Sequence, residues 1–251
     1  MNKLSLDDVR QYVNENIVEF HRNRLNKLRE LKLLEVLRRK NPYLFKAKNI
    51  LTAQDLVKPI LDAYLSSAEE TLFGDFLEGL AVFVCGRVFG ARKSSAQGID
   101  MEFARDGIWY VVSIKSGPNW GNSSQIRKMI DDFKMAKRIL RTNRSNINVV
   151  AVNGCCYGRT RRPDRGDYLK LCGQRFWEFI SGNGRLYIDI VEPLGYKAKE
   201  KNEEFLQSYA QIINRFTFEF GKRFCVNGII DWERLVQYNS GIIRKSSESG
   251  V

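Results

Sequence analysis

The dipeptide Asp106-Gly107 constrains the fold of this chain more than any other local feature. Apolar runs flank it at residues 99–103 and 109–115. Asp-Gly between two such runs favours a two-residue β-hairpin turn, because both central residues of that turn take positive φ. If Asp106 and Gly107 form the turn, Asp100 lies directly opposite Ser113, and Lys115 is its diagonal neighbour on the same face. The sequence therefore predicts a carboxylate and an ammonium group side by side on a sheet.

This pairing of Asp100 with Lys115 has two interpretations. A divalent metal and a phosphate group fit between the two side chains, as in a metal-dependent phosphodiesterase. The same spacing also suits an ordinary amphipathic hairpin with a surface salt bridge, and from geometry alone that second interpretation is the commoner one.

The charge balance favours a polyanionic partner. The 251 residues include 41 Lys and Arg against 29 Asp and Glu, a net charge of +12. Such a surplus indicates nucleic acid or an anionic membrane surface. No apolar run approaches the roughly 20 residues that a membrane-spanning helix needs, and the N-terminus lacks the core of a signal peptide. We therefore expect a nucleic-acid partner and no membrane.

The cysteine and histidine content narrows the chemistry. Five cysteines, an odd number without a C-x-x-C pair, argue against a disulfide framework or a zinc site and favour a cytoplasmic location. His21 is the single histidine of the chain, so a histidine-rich metal site is excluded. We expect carboxylates, lysine and a hard cation to perform any reaction.

The remaining periodicity predicts a mixed α/β (α+β) fold. Apolar residues at three- and four-residue steps indicate helices, and a β-branched run at 148–156 indicates a buried strand. A basic, irregular stretch covers 157–175, and 186–191 is ambiguous between helix and strand. The predicted helices cover 4–40 (ended by Asn41-Pro42), 54–65 (capped by Thr52), 67–85, a segment capped near Asn122 or Ser123, a segment starting at 176, 197–224, and a last one from the Asp231 cap to 238.

Several ordered motifs resemble a known nuclease core. Glu78 on a helix, then Gly-Ile-Asp ending at Asp100, a hairpin, Ile-Lys ending at Lys115 and a following helix look like the PD-(D/E)xK nuclease superfamily. Residues 73–78, 87–90, 99–100 and 113–117 taken together resemble a subgroup of type II restriction endonucleases that cut GG…CC-type palindromes. The resemblance covers most of the chain beyond about residue 70, through Phe176-Trp177 to the neighbourhood of Trp232.

The resemblance implies a restriction-endonuclease-like core, a central mixed β-sheet flanked by helices, with helical additions at both ends. The implied organisation is an N-terminal helical region at 1–66 for DNA contact or dimerisation, a catalytic core at 67–195 with the basic loop 157–175, and a C-terminal helical region at 196–251.

It also implies roles for four residues. Asp100 matches the aspartate that binds Mg²⁺, and the carbonyl of Ile114 matches a further metal ligand. Lys115 matches the lysine that orients or helps to deprotonate the attacking water. Glu78 matches an acidic residue that binds a second metal or its water, although a glutamate on a helix surface is an equally common reading.

One position departs from the family pattern. The second acidic residue is expected two positions before the lysine, where this chain has Ser113. Among substitutes on the following helix, Asp132 borders the apolar stripe whereas Asp131 points outward, so Asp132 is preferred, with Glu102 and Glu78 as alternatives. The missing carboxylate also leaves open a protein that binds DNA but cuts it poorly.

Further polar and basic residues are candidates for DNA contact. They follow the lysine or lie in the basic loop, where arginine suits guanine recognition and a helix N-terminus suits phosphate. These candidates are Asn119, Trp120, Asn122, Gln125, Arg159, Arg161, Arg162 and Arg165.

The resemblance thus implies a Mg²⁺-dependent, sequence-specific endonuclease acting on palindromic double-stranded DNA as a cytoplasmic homodimer, with a cognate DNA methyltransferase in the same system. The alternatives are a structure-directed resolvase or repair nuclease on the same core, and a non-catalytic DNA-binding protein.

Overall fold

The computed structural model describes residues 3–143 and 147–242, which form two compact units. The sheet unit consists of Met1–Phe20 and Glu70–Ala198, and the helical unit consists of His21–Glu69 and Lys199–Val251. Within the described residues, no helix combines the length and the apolar character that crossing a bilayer requires.

Helices dominate the chain, and the strands are short. The helices are α1 (Leu6–Arg29), α2 (Leu33–Arg38), α3 (Pro42–Ala47), α4 (Ala53–Phe89), α5 (Ser123–Asn143), α6 (Gln174–Ser181), α7 (Leu186–Asp189), α8 (Val191–Leu194), α9 (Ala198–Phe224) and α10 (Trp232–Ser240). The strands are β1 (Arg92–Lys93), β2 (Met101–Arg105), β3 (Ile108–Lys115), β4 (Asn148–Cys155), β5 (Leu169–Cys172), β6 (Cys225–Val226) and β7 (Ile229–Ile230).

A mixed five-stranded sheet lies at the centre of the sheet unit, in the order β1-β2-β3-β4-β5. Strands β1, β2 and β3 pair antiparallel, whereas β3, β4 and β5 pair parallel. Helix α5 connects the parallel strands β3 and β4, so the predicted order of strand, strand, helix, strand is confirmed.

The hairpin has the predicted turn and register. Asp106 and Gly107 have φ of 52° and 76°, and Arg105 pairs with Ile108 across them. The backbone N–H of Asp100 donates to the carbonyl of Val112 at 2.9 Å, which extends the ladder one residue beyond β2. The same register places Asp100 opposite Ser113.

Both faces of the sheet are covered. Val112 and Ile114 pack into a core with α4, including Leu80 and Val84. Val111 lies in a second core, where Phe133 of α5 is buried. Side chains of β3 therefore alternate between two apolar cores, as expected for a strand buried on both sides.

The helical unit has its own core. Leu28, Leu56, Leu61, Phe216 and Phe220 are buried together in one cluster. Strands β6 and β7 form a two-stranded hairpin, and the side chain of Asp231 accepts from the N–H of Arg234 to cap α10, as predicted.

The prediction of one helix over 4–40 was wrong. Helix α1 ends at Arg29, and Lys32 is extended with φ −120° and ψ 128° before α2 starts. Asn41-Pro42 starts α3, because the Asn41 side chain accepts from the N–H groups of Tyr43 and Leu44 and proline suits the first helical position.

Three other boundaries also differ. The two helices predicted at 54–65 and 67–85 form the single helix α4. The helix continues through Ser67, whose hydroxyl donates to the carbonyl of Ala63 one turn earlier. The stretch 157–175 contains the strand β5, and the ambiguous segment 186–191 is helical. The predicted Thr52 cap is confirmed, since its hydroxyl accepts from the N–H of Asp55 at 3.1 Å.

Candidate functional site

Asp100 lies at the end of the central hairpin in a partly buried environment. Its carboxylate accepts from the backbone N–H of Ile114 at 2.5 Å and from the Ser113 hydroxyl at 3.5 Å. Burial raises the pKa of the Asp100 carboxyl, against the opposing effects of the Ile114 N–H and the positive charges of Lys115 and Lys93. The structure thus holds an acidic group where its charge is disfavoured.

The carboxylate of Glu78 lies close enough to Asp100 for the Asp100 charge to shift its pKa. Burial raises the pKa of Glu78, and the negative charge of Asp100 raises it further, whereas Lys93 and Lys115 lower it. Asp100, Glu78, Lys115 and Lys93 therefore form one electrostatic cluster. The sequence did not indicate Lys93, because a two-residue strand leaves no periodic signal.

Helix α4 approaches the end of β3 closely enough to place Glu78 there. A Cβ atom at Gly74 would lie 2.5 Å from the hydroxyl oxygen of Ser116, the residue after Lys115. Gly74 and Glu78 are four residues apart and share a helix face. Gly74 allows α4 to approach Ser116 closely, and the next turn of α4 carries the Glu78 carboxylate on the same face.

The loop after Lys115 is bonded to strand β4. The indole N–H of Trp120 donates to Asn153 Oδ1 at 3.2 Å, and Asn153 Nδ2 donates to the carbonyl of Ser113 at 3.3 Å. The Nζ atom of Lys115 lies 5.4 Å from the centre of the Trp120 ring, within cation–π range. Asn153 was not among the predicted site residues.

A cleft of about 430 Å³ opens beside Lys115. Its wall includes Ser116, the exposed Asn119, Trp120 and Tyr157. Of the cluster, Lys115 lines this concave surface.

Asn122 and Gln125 cap the helix that follows the cleft, so of the two predicted caps, Asn122 and Ser123, the structure has Asn122. The Asn122 side chain accepts from the Gln125 N–H at 3.0 Å, and the Gln125 side chain accepts from the Asn122 N–H at 2.9 Å. This reciprocal capping uses the single amide oxygen of each side chain and leaves both amide NH₂ groups on an exposed surface.

The other proposed carboxylates have different partners. Asp132 pairs with Lys128 at 2.8 Å and lies against Gly98, where a Cβ atom would clash with its carboxylate. Glu102 pairs with Arg92 at 2.8 Å. Among residues 3–143 and 147–242, no three His, Cys, Asp or Glu side chains converge on a point where they could hold a metal.

The arginines of the basic loop are all exposed. They are carried on an ordered segment, since Arg165 N donates to the carbonyl of Tyr168 at 3.0 Å and Lys170 N donates to that of Pro163 at 2.7 Å. The four candidates for DNA contact are Arg159, Arg161, Arg162 and Arg165, and Arg175 at the end of the loop is exposed as well.

The donor set fits a hard divalent cation. Two carboxylates with raised pKa values lie near one another, and a cation between them would relieve the cost of holding both ionised. Mg²⁺ is typically bound by one or two protein carboxylates together with water and substrate phosphate, so three protein acids are not required.

A helix-flanked mixed sheet with an acid–lysine cluster at the end of β3 defines a restriction-endonuclease-like core. The model of the family described as type II restriction endonuclease EcoO109I matches residues 7–202, and the chain belongs to this family. No curated protein sequence matches the chain. The match starts far earlier than residue 70 and thus includes α1, which the sequence motifs did not indicate.

Family membership makes the chain a type II site-specific deoxyribonuclease, as the motifs predicted. Restriction endonucleases bind DNA and generally use divalent metal ions.

Proposed function

We propose that this protein is a Mg²⁺-dependent endonuclease that hydrolyses phosphodiester bonds at a palindromic site in double-stranded DNA. The observation that carries the proposal is the electrostatic grouping of Asp100, Glu78 and Lys115, of which Lys115 also lines a cleft. A runner-up, a DNA-binding protein that cuts poorly, is favoured only by Ser113, which brings no charge to the position where the family pattern has an acid.

Asp100, Glu78 and the backbone carbonyl of Ile114 would hold the cation. Bound there, a divalent ion supplies Lewis-acid polarisation of the phosphoryl group and makes a nearby water more acidic. Glu78 is the preferred replacement for the acid missing at Ser113, because the charges of Asp100 and Lys115 act on it directly. Asp132 is the second choice, since it would first have to leave Lys128.

Lys115 and Ser113 act on two different negatively charged groups in this scheme. The Lys115 ammonium lies beside the cleft, where it orients the attacking water and stabilises the negative charge that develops on the phosphoryl oxygens. The Ser113 hydroxyl donates to Asp100 and keeps that carboxylate aimed towards the cluster.

DNA would be held by exposed cationic and polar groups. Asn119, Trp120, Asn122 and Gln125 lie at or just past the cleft, where contacts to the sugar–phosphate backbone position the duplex. The arginines at 159, 161, 162 and 165 are the proposed base readers, since arginine bonds guanine with two hydrogen bonds.

The proposed assembly is a homodimer with two-fold symmetry. A palindrome presents two equivalent half-sites, so a symmetric dimer brings one catalytic centre to each strand. In a cell, the proposed enzyme works in the cytoplasm with a methyltransferase that protects the same sites.

The test is digestion of a mapped plasmid with Mg²⁺, followed by sequencing of the ends. We expect discrete fragments from the wild type, and no cleavage by Asp100→Ala or Lys115→Ala although both still bind the site in Ca²⁺. Asp131→Ala and Lys134→Ala change exposed charges on α5 and serve as matched controls that cut normally.

Three outcomes would contradict the proposal. Full activity in either site variant would remove these residues from the mechanism. A random ladder of products would identify a structure-directed nuclease, and tight, salt-sensitive binding without nicking would identify a DNA-binding protein.

A further inference from the structure

We infer that Asn153 and Trp120 are positioning residues for Lys115: the buried Asn153 amide fixes the Trp120 indole, and the indole face holds the lysine ammonium in the cleft. The inference rests on the proposed function, because it concerns the lysine of that same site. Trp120 then positions a side chain of its own protein, in addition to any contact that it makes with DNA.

Asn153 is the buried end of this arrangement. It is 1% exposed on the central strand β4, directly paired in register with Ser113. Its Oδ1 atom accepts from the Trp120 indole N–H and from the Cys155 thiol, and its Nδ2 atom donates to the Ser113 carbonyl. A buried amide is costly unless it is hydrogen-bonded, and neighbouring Ala151 and Val152 show that apolar residues suit this part of the strand. Of the three groups that the amide bonds, Trp120 is the one that lies in the loop after Lys115.

Trp120 connects this amide to the lysine. Its only polar atom, Nε1, donates to Asn153, so the orientation of the ring is tied to β4. The Lys115 ammonium lies 5.4 Å from the ring centre, and the negative face of an indole attracts a cation at this range. A lysine side chain has four flexible torsions, and the ring restricts the positions that its ammonium can occupy.

The loop that carries Trp120 is held in place independently. Lys170 Nζ donates to the carbonyl of Pro118 at 2.7 Å. Gly117 packs so closely under the Tyr157 ring that a Cβ atom there would clash, and the Asn122 cap fixes the far end of the loop. Loss of the Asn153 bond should therefore free the indole without unfolding the loop.

The expected effect falls on the cleavage rate at saturating DNA, where loss of a Trp120 contact to DNA does not limit the reaction. Displacement of a catalytic group by about 1 Å can slow a reaction roughly 100-fold. We expect Trp120→Ala to lower the single-turnover rate at saturating DNA by about 10- to 100-fold. Trp120→Phe keeps a ring but loses the bond to Asn153, so its rate should fall between those of the wild type and Trp120→Ala. Asn153→Ala should resemble Trp120→Phe.

The helical unit offers a matched control. Lys46 Nζ lies 5.3 Å from the centre of the Trp232 ring, a lysine–tryptophan pair of the same geometry. Trp232→Ala removes that pair and should leave the cleavage rate unchanged. Thermal unfolding of every variant identifies any loss of rate that comes from misfolding, and if Trp120→Ala does not fold, Trp120→Phe and Asn153→Ala carry the test.

A spectroscopic measurement reports on the lysine itself. After reductive methylation with ¹³C-formaldehyde, the Lys115 methyl resonance is assigned by its absence in Lys115→Arg. We expect Trp120→Ala and Asn153→Ala to move this resonance as the ring current is lost or altered, whereas Trp232→Ala leaves it in place.

Several results would overturn the inference. These are rates within twofold of the wild type in Trp120→Ala and Asn153→Ala, a fall in the Ca²⁺-dependent DNA affinity of Asn153→Ala large enough to explain its loss of rate, or an unmoved Lys115 resonance. If the wild type does not cleave DNA at all, the proposed function fails, and the resonance still decides whether Trp120 positions Lys115.

Discussion

Replacement of Asp100 by asparagine should stabilise the metal-free protein at neutral to alkaline pH while it abolishes cleavage. Burial raises the pKa of Asp100, and the Asp100 charge adds to the burial that raises the pKa of Glu78. Asparagine removes this charge and still offers an oxygen to the Ile114 N–H. The substitution therefore removes the cost of burying the Asp100 charge and the repulsion that this charge exerts on Glu78. It keeps the main hydrogen bond, from the Ile114 N–H.

The sign and size follow from the linkage between protonation and folding. Both carboxyls have pKa values above those of the unfolded chain, so their protonated forms favour folding. That stability is present at low pH and is lost as pH rises from the unfolded pKa through the raised folded one. Each pKa unit corresponds to about 1.4 kcal/mol, and we expect a gain of roughly 1 kcal/mol at pH 8. For a chain of this length, that gain raises Tm by about 2–4 °C.

The assay is thermal unfolding in EDTA at pH 4 and pH 8, with Asp131→Asn as the control at an exposed carboxylate. The gain for Asp100→Asn should shrink at pH 4, and added Ca²⁺ should raise the Tm of the wild type more than that of the variant, since a ligand stabilises only the fold that binds it. A variant less stable than the wild type at pH 8, or an equal difference at both pH values, would refute the reasoning.

Two further predictions concern the basic loop and the thiols. Replacement of each of the four loop arginines by alanine should either lower the salt slope of DNA binding by about 0.9, as for a lost phosphate contact, or weaken discrimination at one base pair by about 1–3 kcal/mol. Binding titrations at several salt concentrations and cleavage of singly altered sites distinguish the two, and a quadruple variant with neither change would exclude the loop from recognition. Cys225 is the one partly exposed cysteine, whereas Cys85, Cys155, Cys156 and Cys172 are buried, and burial raises the pKa of Cys156 to about 12. A disulfide reagent should therefore label a single thiol in the native protein, and Cys225→Ser should remove that signal; rapid labelling of several thiols would contradict the burial.

The parts of the fold that sequence patterns predicted are those set by neighbouring residues. Asp106-Gly107 determines the hairpin because the turn needs positive φ at both positions, and the register of Asp100 opposite Ser113 follows by counting. The Thr52, Asn122 and Asp231 caps were predictable because each bonds a group three residues away.

The parts that patterns missed depend on partners far along the chain. In the sequence, Asn153 is one polar residue in an apolar strand. Its hydrogen-bond partner Ser113 is known only once β4 pairs with β3, 40 residues earlier in the chain. The choice among Glu78, Asp132 and Glu102 likewise depends on which cations they meet, since Lys128 and Arg92 pair with the latter two. Helical periodicity places these acids on a face but does not identify the neighbours of that face.

Both borders of the five-stranded sheet are closed to further strands. On one side, β1 is only two residues long and carries the exposed cations Arg92 and Lys93, which would repel an identical strand of a second copy. On the other side, the segment with Pro163 folds back on β5, and the carbonyl of Pro163 accepts a hydrogen bond from the N–H of Lys170. These features oppose the association of two copies through a merger of their sheets into one continuous ribbon. For the proposed dimer, we therefore expect an interface made by side chains of helices and loops, where substitutions can alter subunit affinity without disturbing the backbone ladder that supports Asp100 and Lys115.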